Sequence, residues 1–348
     1  MKIIVLLLAI SLLVFGCFGI QIPGIGGSGA KENKTANVSA NESEQGNKTI
    51  ITIKNESTNR DEEKIPQLPN ETVSKIKPGY TFAPNERFAV YFINVGKDEL
   101  QGDAILIKKG DFDMLVDTGN ARSNGKVVDF LKSKGVDDIE VLVSTNPDPQ
   151  RYRGMQAVLD EFGVEEFWWS GKIYGDSSYD ALVKEVNDQN IKMREVKRGD
   201  AETLNGLKVE VLNPSATKSF NDRDNDAIAL KITENDFCVL LTGDILGGAQ
   251  GELVNDPKIN LRCNILEMPG YGLGRATAQI DYLLLKVKPN DVVFSGSSDD
   301  PSQDVKGTRF VTYEKLRLRN ITYYENYKNG TVRIQSDGTN YAIDFLPN

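Results

Sequence analysis

The chain has 348 residues, with 41 Lys and Arg against 50 Asp and Glu, a formal net charge of −9 and a pI near 4.9. That balance is the opposite of a general nucleic-acid binder's. It contains no histidine and only three cysteines, which excludes imidazole chemistry, His-based zinc sites and a disulfide-framework fold.

Residues 1–17 are a lysine and an apolar run closing on Gly16-Cys17, the shape of an export signal with Cys17 as a lipid-attachment site. An uncleaved membrane anchor is the alternative, since the run is near the lower spanning length. Either way the remainder is expected to be exported and anchored to the outer face of the cell membrane. Residues 18–86 pass from Gly-rich to a stretch dominated by Asn, Glu, Lys, Thr and Ser. They hold too little apolar surface to offset the entropy of ordering and read as a disordered stalk. Six Asn-x-Ser/Thr sequons there, at Asn33, Asn37, Asn41, Asn47, Asn55 and Asn70, are candidate glycosylation sites.

Residues 87–348 read as one α/β domain. Apolar alternation and short apolar runs predict strands at 88–95, 104–108, 113–117, 139–144, 166–169, 192–195, 207–212, 227–233, 236–241, 261–268, 292–295, 321–324, 331–335 and 341–345. Helical spacing predicts helices at 125–134, 155–162, 178–189, 249–255, 275–287 and 302–318. Gly135 is a helix stop, Thr233-Glu-Asn-Asp236 a hairpin turn, and Asn329-Gly330 and Asp337-Gly338 turns of a terminal meander. The centre of the domain is Asn146-Pro-Asp-Pro-Gln-Arg-Tyr-Arg-Gly154, a polar loop between a buried strand and a helix, where α/β proteins place their sites.

Ordered blocks surround that loop: Phe92-Ile-Asn-Val-Gly96, Gln101-Gly-Asp-Ala-Ile-Leu-Ile107, Met114-Leu-Val-Asp-Thr-Gly119, Val209-Glu-Val-Leu-Asn-Pro214, Asp226-Ala-Ile-Ala-Leu-Lys-Ile232, Val239-Leu-Leu-Thr-Gly-Asp244 and Leu266-Glu-Met-Pro-Gly270. In these blocks the chain resembles the metallo-β-lactamase fold superfamily, and most closely the extracellular hydrolase-like domain of the competence protein family ComEC. The resemblance implies an αβ/βα sandwich with a metal loop of the form His-Pro-Asp-Ala-Asp-His. Here Asn146 stands for the first His, Asp148 is kept, and Gln150 and Arg151 replace the Asp and the final His. Asp244 survives, Gly270-Tyr271 replace a later His pair, and Asn213 falls at a further lost ligand position.

The residue chemistry agrees with that departure. Without imidazole only hard oxygen ligands remain, and Arg151 cannot ligate a cation because it has no lone pair to give. The former metal cleft is therefore expected to hold no metal or other cofactor. Asp148 and Asp244 repel one another unless a cation compensates, and Arg151 is placed to be that cation; independent exposure of both acids is the alternative. Asp117 is expected to fix adjacent loops through backbone N–H groups. Arg122, Arg151, Arg153 and Arg275 form a possible anion-binding set, for which DNA is the polyanion that the resemblance implies. Asp222, Asp224 and Asp226 read as a solvated turn. Trp168 and Trp169 cannot be equally buried in one strand, and Cys238 and Cys263 are either a disulfide or two buried thiols.

The function expected is that of a non-catalytic, metal-free cell-surface binding or structural protein, whose partner is a surface protein, a glycan or DNA. The alternatives are a hydrolase or nuclease using a hard metal, and a surface DNA-binding accessory protein.

Overall fold

The strands fall into two sheets because most of their residues are apolar on both faces. In the computed structural model, which describes residues 88–96, 102–296 and 308–347, β1 (Phe88–Phe92) is buried along its whole length. Phe88, Val90 and Phe92 face one core, while Ala89, Tyr91 and the following Ile93 face another. Leader, stalk and the six stalk sequons lie outside the described residues.

The first sheet adds β2 (Ile105–Lys109), β3 (Phe112–Val116), β4 (Asp138–Val143), β5 (Gly163–Trp169) and β6 (Lys192–Glu195). The second holds β7 (Ala201–Leu204), β8 (Leu207–Asn213), β9 (Ala229–Glu234), β10 (Phe237–Leu241), β11 (Ile265–Glu267), β12 (Asp291–Phe294) and β13 (Thr322–Glu325). The chain then returns to the first sheet as β14 (Thr331–Ser336) and β15 (Tyr341–Leu346), giving the orders β15-β14-β1-β2-β3-β4-β5-β6 and β13-β12-β11-β10-β9-β8-β7. Each sheet changes from antiparallel to parallel pairing partway along, at β3 and at β10.

Parallel neighbours need crossovers, and helices supply them. In the first half these are α1 (Asn124–Ser133), α2 (Pro149–Tyr152), α3 (Met155–Glu161) and α4 (Ser177–Asp188). In the second they are α5 (Gly247–Asn255), α6 (Ile280–Val287) and α7 (Thr308–Leu318), and a last short turn, α8 (Asn326–Asn329), precedes β14. Val127, Leu131, Met155, Val158, Tyr179 and Leu182 pack on the outer face of the first sheet. Leu253, Ile280, Leu283, Leu284 and Leu316 cover the outer face of the second. Between the sheets Phe88, Val90, Met114 and Val143 meet Val209, Leu230, Phe237 and Val239 in one core. The layers are helix, sheet, sheet, helix: an αβ/βα sandwich.

All the expected strands are present, with two corrections to strands and one to a helix. An additional strand, β7, pairs with β8 through Asn205-Gly206, both at positive φ. The strand expected over 261–268 shortens to β11. The helix expected from 275 begins at Ile280, because Gly274–Thr277 turns as a separate 3-10 segment. Of the helix expected over 302–318, residues 302–307 lie outside the described residues. Trp168 enters the inter-sheet core, while Trp169 packs on the helical side. Cys238 and Cys263 are joined in a disulfide across β10 and the approach to β11. Among the described residues no helix is long and apolar enough to cross a membrane.

Candidate functional site

The ends of β3, β4, β10 and β11 and the residues preceding β2 converge at one rim, and the chain there is drawn close. A Cβ on Gly102 would lie 2.2 Å from the Gln150 carbonyl oxygen, and one on Gly154 2.3 Å from that of Thr118. Both positions exclude any larger residue, so the 148–154 segment lies directly on the loops that carry Asp103 and Asp117.

Asp117 has a left-handed backbone, φ 58°, uncommon for a residue with a Cβ. Its carboxylate accepts from the Thr145 N–H at 2.9 Å and the Thr145 hydroxyl at 2.5 Å. It thereby ties the end of β3 to the end of β4, the loop-fixing role expected of it. Its remaining partner is Arg151, whose Nη1 lies 3.2 Å from Oδ2.

Arg151 is the centre of the site and is 1% exposed. Nε and Nη2 grip Asp244 in a bidentate pair at 2.5 and 2.6 Å, and Nη1 also pairs with Asp103. The Tyr271 ring stands 5.5 Å from the guanidinium carbon. Glu267 is buried nearby and accepts from the Thr242 and Gly243 N–H groups at 2.8 and 2.9 Å.

The expected partnership of Arg151 with both Asp148 and Asp244 is half realised. Asp148 instead caps α2, accepting from the Gln150 N–H at 2.8 Å, and its other oxygen pairs with Arg223 at 2.6 Å. Asn146 donates to Asp244 at 3.2 Å and to Asp224 at 3.4 Å. One ligand atom each from Asp148, Asp224 and Asp244 falls within 4.8 Å of the others. These three carboxylates lie between two guanidiniums, with Arg151 on the buried side and Arg223 on the exposed side.

Gln150 is half-buried on α2. Gly270 donates its N–H to the Gly243 carbonyl at 2.9 Å, which sets Tyr271 over the arginine. Asn213 turns away to hold the 225–227 backbone, donating to the Asn225 and Ala227 carbonyls at 2.9 and 2.6 Å. The four arginines do not form one anion-binding set. Arg151 is sealed among carboxylates, and Arg275 faces Asp222 at 3.6 Å, while Arg122 and Arg153 are exposed. Nor is 222–226 a solvated turn: buried Asp226 accepts from Tyr174 and Ser219, both at 2.8 Å, and pairs with Lys172 at 2.9 Å.

Burial dominates the titration of this cluster. It pushes the Asp117 carboxyl up to about 6 against the opposing pull of Arg151 and Thr145. It raises Asp103 further, again against Arg151, and raises Glu267 despite the arginine and the two N–H groups. Asp224 rises to about 6 through burial and the neighbouring Asp244 charge. For Arg151 burial works against the charge, but Asp103 and Asp244 overcome it and hold the guanidinium protonated.

Asp103, Glu267, Arg223 and Asp224 were not expected as site residues. Asp103 and Glu267 stand inside the blocks Gln101-Gly-Asp and Leu266-Glu-Met-Pro, so a signal for them existed. Nothing local marks Arg223.

No family model matches the chain. The chain is 20% identical over 211 residues to the ComE operon protein 3 of Bacillus subtilis (strain 168), a match covering 60% of this chain and 26% of that protein. It thus spans about a quarter of the length of that relative. Among solved structures it is similar to the metallo-β-lactamase fold protein YhfI from Bacillus subtilis, at 11% identity and TM-score 0.46, over 69% of this chain and 96% of that one. It is also similar to Zn(2+)-bound PqqB from Methylobacterium extorquens, at 12% identity and TM-score 0.43, over 65% and 85%. Such likenesses say nothing of activity. By its own architecture the described domain is a metallo-β-lactamase-like αβ/βα sandwich, and its sequence likeness is to the ComEC type.

The residues present do not fit the zinc that such a fold implies. Catalytic zinc takes imidazole, thiolate or carboxylate ligands and keeps one position open. Here the chain offers no imidazole, and Asp244 is already occupied bidentately by an internal cation.

Proposed function

We propose that this is a non-catalytic, metal-free binding or structural protein built on a metallo-hydrolase fold and held at the outer face of the cell membrane. The observation that carries the reading is the buried Arg151 guanidinium, which bridges Asp103, Asp117 and Asp244. A cation of fixed charge with no open coordination position can hold carboxylates together, but it cannot lower the pKa of a water or polarise a scissile bond as a metal does. No histidine is present to take a proton instead, and burial raises the Tyr271 hydroxyl far from the range of a base at neutral pH.

A second reading is favoured by one observation, the convergence of Asp148, Asp224 and Asp244. Three oxygen donors suit a hard divalent cation, which would make the protein a metal-dependent hydrolase or nuclease. The two readings separate when the protein is dialysed against Zn²⁺, Mn²⁺ or Mg²⁺ and assayed for bound metal and for turnover of β-lactams, phosphodiesters and DNA. Expected are substoichiometric metal and turnover equal to a blank. At least one ion per chain, with turnover abolished by Asp148→Asn combined with Asp244→Asn, would establish the hydrolase instead.

A further inference from the structure

Single exposed apolar side chains are ordinary on a protein surface, and only their concentration carries meaning. Six large hydrophobic residues are strongly exposed among the described residues, and five of them, Tyr282, Leu285, Phe310, Val311 and Leu318, belong to α6 and α7. The sixth, Ile173, is in a loop of the other half. Tyr282 and Leu285 are three residues apart, and Val311 and Leu318 seven apart, so each pair shares a helix face.

Both faces point away from the fold. The opposite sides of the two helices, Ile280, Leu283, Leu284 and Val287 on α6 and Leu316 on α7, are buried against the second sheet. Ion pairs join the two helices, for Asp281 pairs with Lys315 and Arg319, both at 2.8 Å. These pairs bring Asp281, the neighbour of exposed Tyr282, to the C-terminal end of α7, where Leu318 is exposed.

The charge around this apolar face is opposite in sign to that of the chain. Lys286, Lys288, Lys315, Arg317 and Arg319 outnumber Asp281 and Glu314 on the two helices and their ends, whereas the whole chain carries a formal −9. A second copy of this chain would meet like charge with like, which disfavours self-association through this face. Exposed aromatic and aliphatic side chains on helices with a net excess of bases, of which Lys315, Arg317 and Arg319 also pair with acids, are instead the chemistry that seats a surface helix in the headgroup region of an anionic bilayer.

We infer that the outer face of α6 and α7 is a lipid-docking surface that lays the domain against an anionic membrane. The site does not involve Arg151, so the inference stands or falls separately from the reading of the cleft.

The full chain, with its own N-terminal segment, is reconstituted on vesicles of phosphatidylcholine with or without phosphatidylglycerol. A trace phospholipid bearing a photoactivatable acyl chain is included, and labelled peptides are mapped by mass spectrometry. Because the N-terminal segment is free to bind both vesicle types, the pattern of labelling and not retention is the readout. Label is expected in 280–288 and 308–320 on the anionic vesicles, about tenfold or more above the loop holding Ile173, and about tenfold less on phosphatidylcholine alone. The combined variant Leu285→Ser, Leu318→Ser removes two exposed side chains and should lose that label while circular dichroism is unchanged. The inference is overturned if the two helices label no more than the Ile173 loop, or equally on neutral vesicles. It is also overturned if the helices stay unlabelled while the chain sediments as a dimer that the combined variant dissociates.

Discussion

Replacing Arg151 with Met keeps most of the side-chain length and deletes the charge at the centre of the cleft. Asp103, Asp117 and Asp244 then lose their shared cation, while Glu267 stays buried beside them. Removing one partner of a buried pair typically costs about 3–5 kcal/mol, because the other charge is left uncompensated. In a domain of this size that corresponds to a fall in Tm of roughly 6–20 °C. The cost should depend on pH in a defined direction. Burial already raises Asp117 to about 6, with Asp103 and Glu267 also raised, so without the arginine these carboxyls take up protons more readily. Urea unfolding at pH 8 and pH 5, followed by circular dichroism, should therefore show the larger loss at pH 8. Arg151→Lys, which keeps a charge but cannot grip Asp244 with two parallel N–H groups, should fall between Met and the native residue. Unchanged or increased stability of the Met variant at pH 8 would refute the network, and so would an equal loss at both pH values.

The native protein should itself lose stability as pH rises from about 4 to 7. Asp113, Asp117 and Asp224 are each raised to about 6 by burial. A carboxyl raised above its unfolded value of about 3.9 stabilises the fold in its protonated form; that contribution is complete below the unfolded value and is lost as pH passes about 6. The effect is about 2–3 kcal/mol each for fully buried Asp113 and Asp117 and less for the half-buried Asp224; a urea midpoint that rises between pH 4.5 and 7.5 would contradict it. For DNA, fluorescence anisotropy with a duplex at low salt should show no saturable binding, since Arg151 and Arg275 face carboxylates and the chain is acidic. Binding that weakens with salt and is lost in Arg122→Ala with Arg153→Ala would establish the surface DNA-binding alternative.

Much of the fold was legible because burial leaves a local signature. A strand such as Phe237–Leu241 is five consecutive buried apolar residues, bounded by the Asn235 turn at φ 51°. Such a run between turn residues identifies itself. Structure and sequence pattern part where local signals are weak or tertiary contacts decide. β7, Ala201–Leu204, alternates exposed with half-buried positions and owes its strand character to pairing with β8, although Asn205-Gly206 marked the turn. Arg275-Ala-Thr277 has the spacing of a longer α6, but Gly274, at φ 50°, and the 3-10 hydrogen bonds break the run.

The site was legible only as far as chemistry is carried by residue type. Arg151 reads as the compensating cation because a permanently charged donor beside carboxylates can do little but pair with them, and the structure buries it against Asp244. Its other partners could not be assigned, because Asp103 and Arg151 meet only through the close approach of Gly102 to Gln150, a contact between segments far apart in the chain. The same limit hid Arg223. Asp148 was paired in expectation with its near neighbour Arg151, but as the cap of α2 it points its free oxygen to solvent and to Arg223. One guanidinium inside and one outside supply two positive charges for Asp148, Asp224 and Asp244, and the buried acids beyond them, Asp103, Asp117 and Glu267, still exceed that charge. Desolvation raises those carboxyls against the pull of Arg151, so they take up protons more readily than exposed acids do. Neutralisation of that kind is what the proposed metal-free reading requires of the cleft, and metal held by Asp148, Asp224 and Asp244 is the outcome that would overturn it.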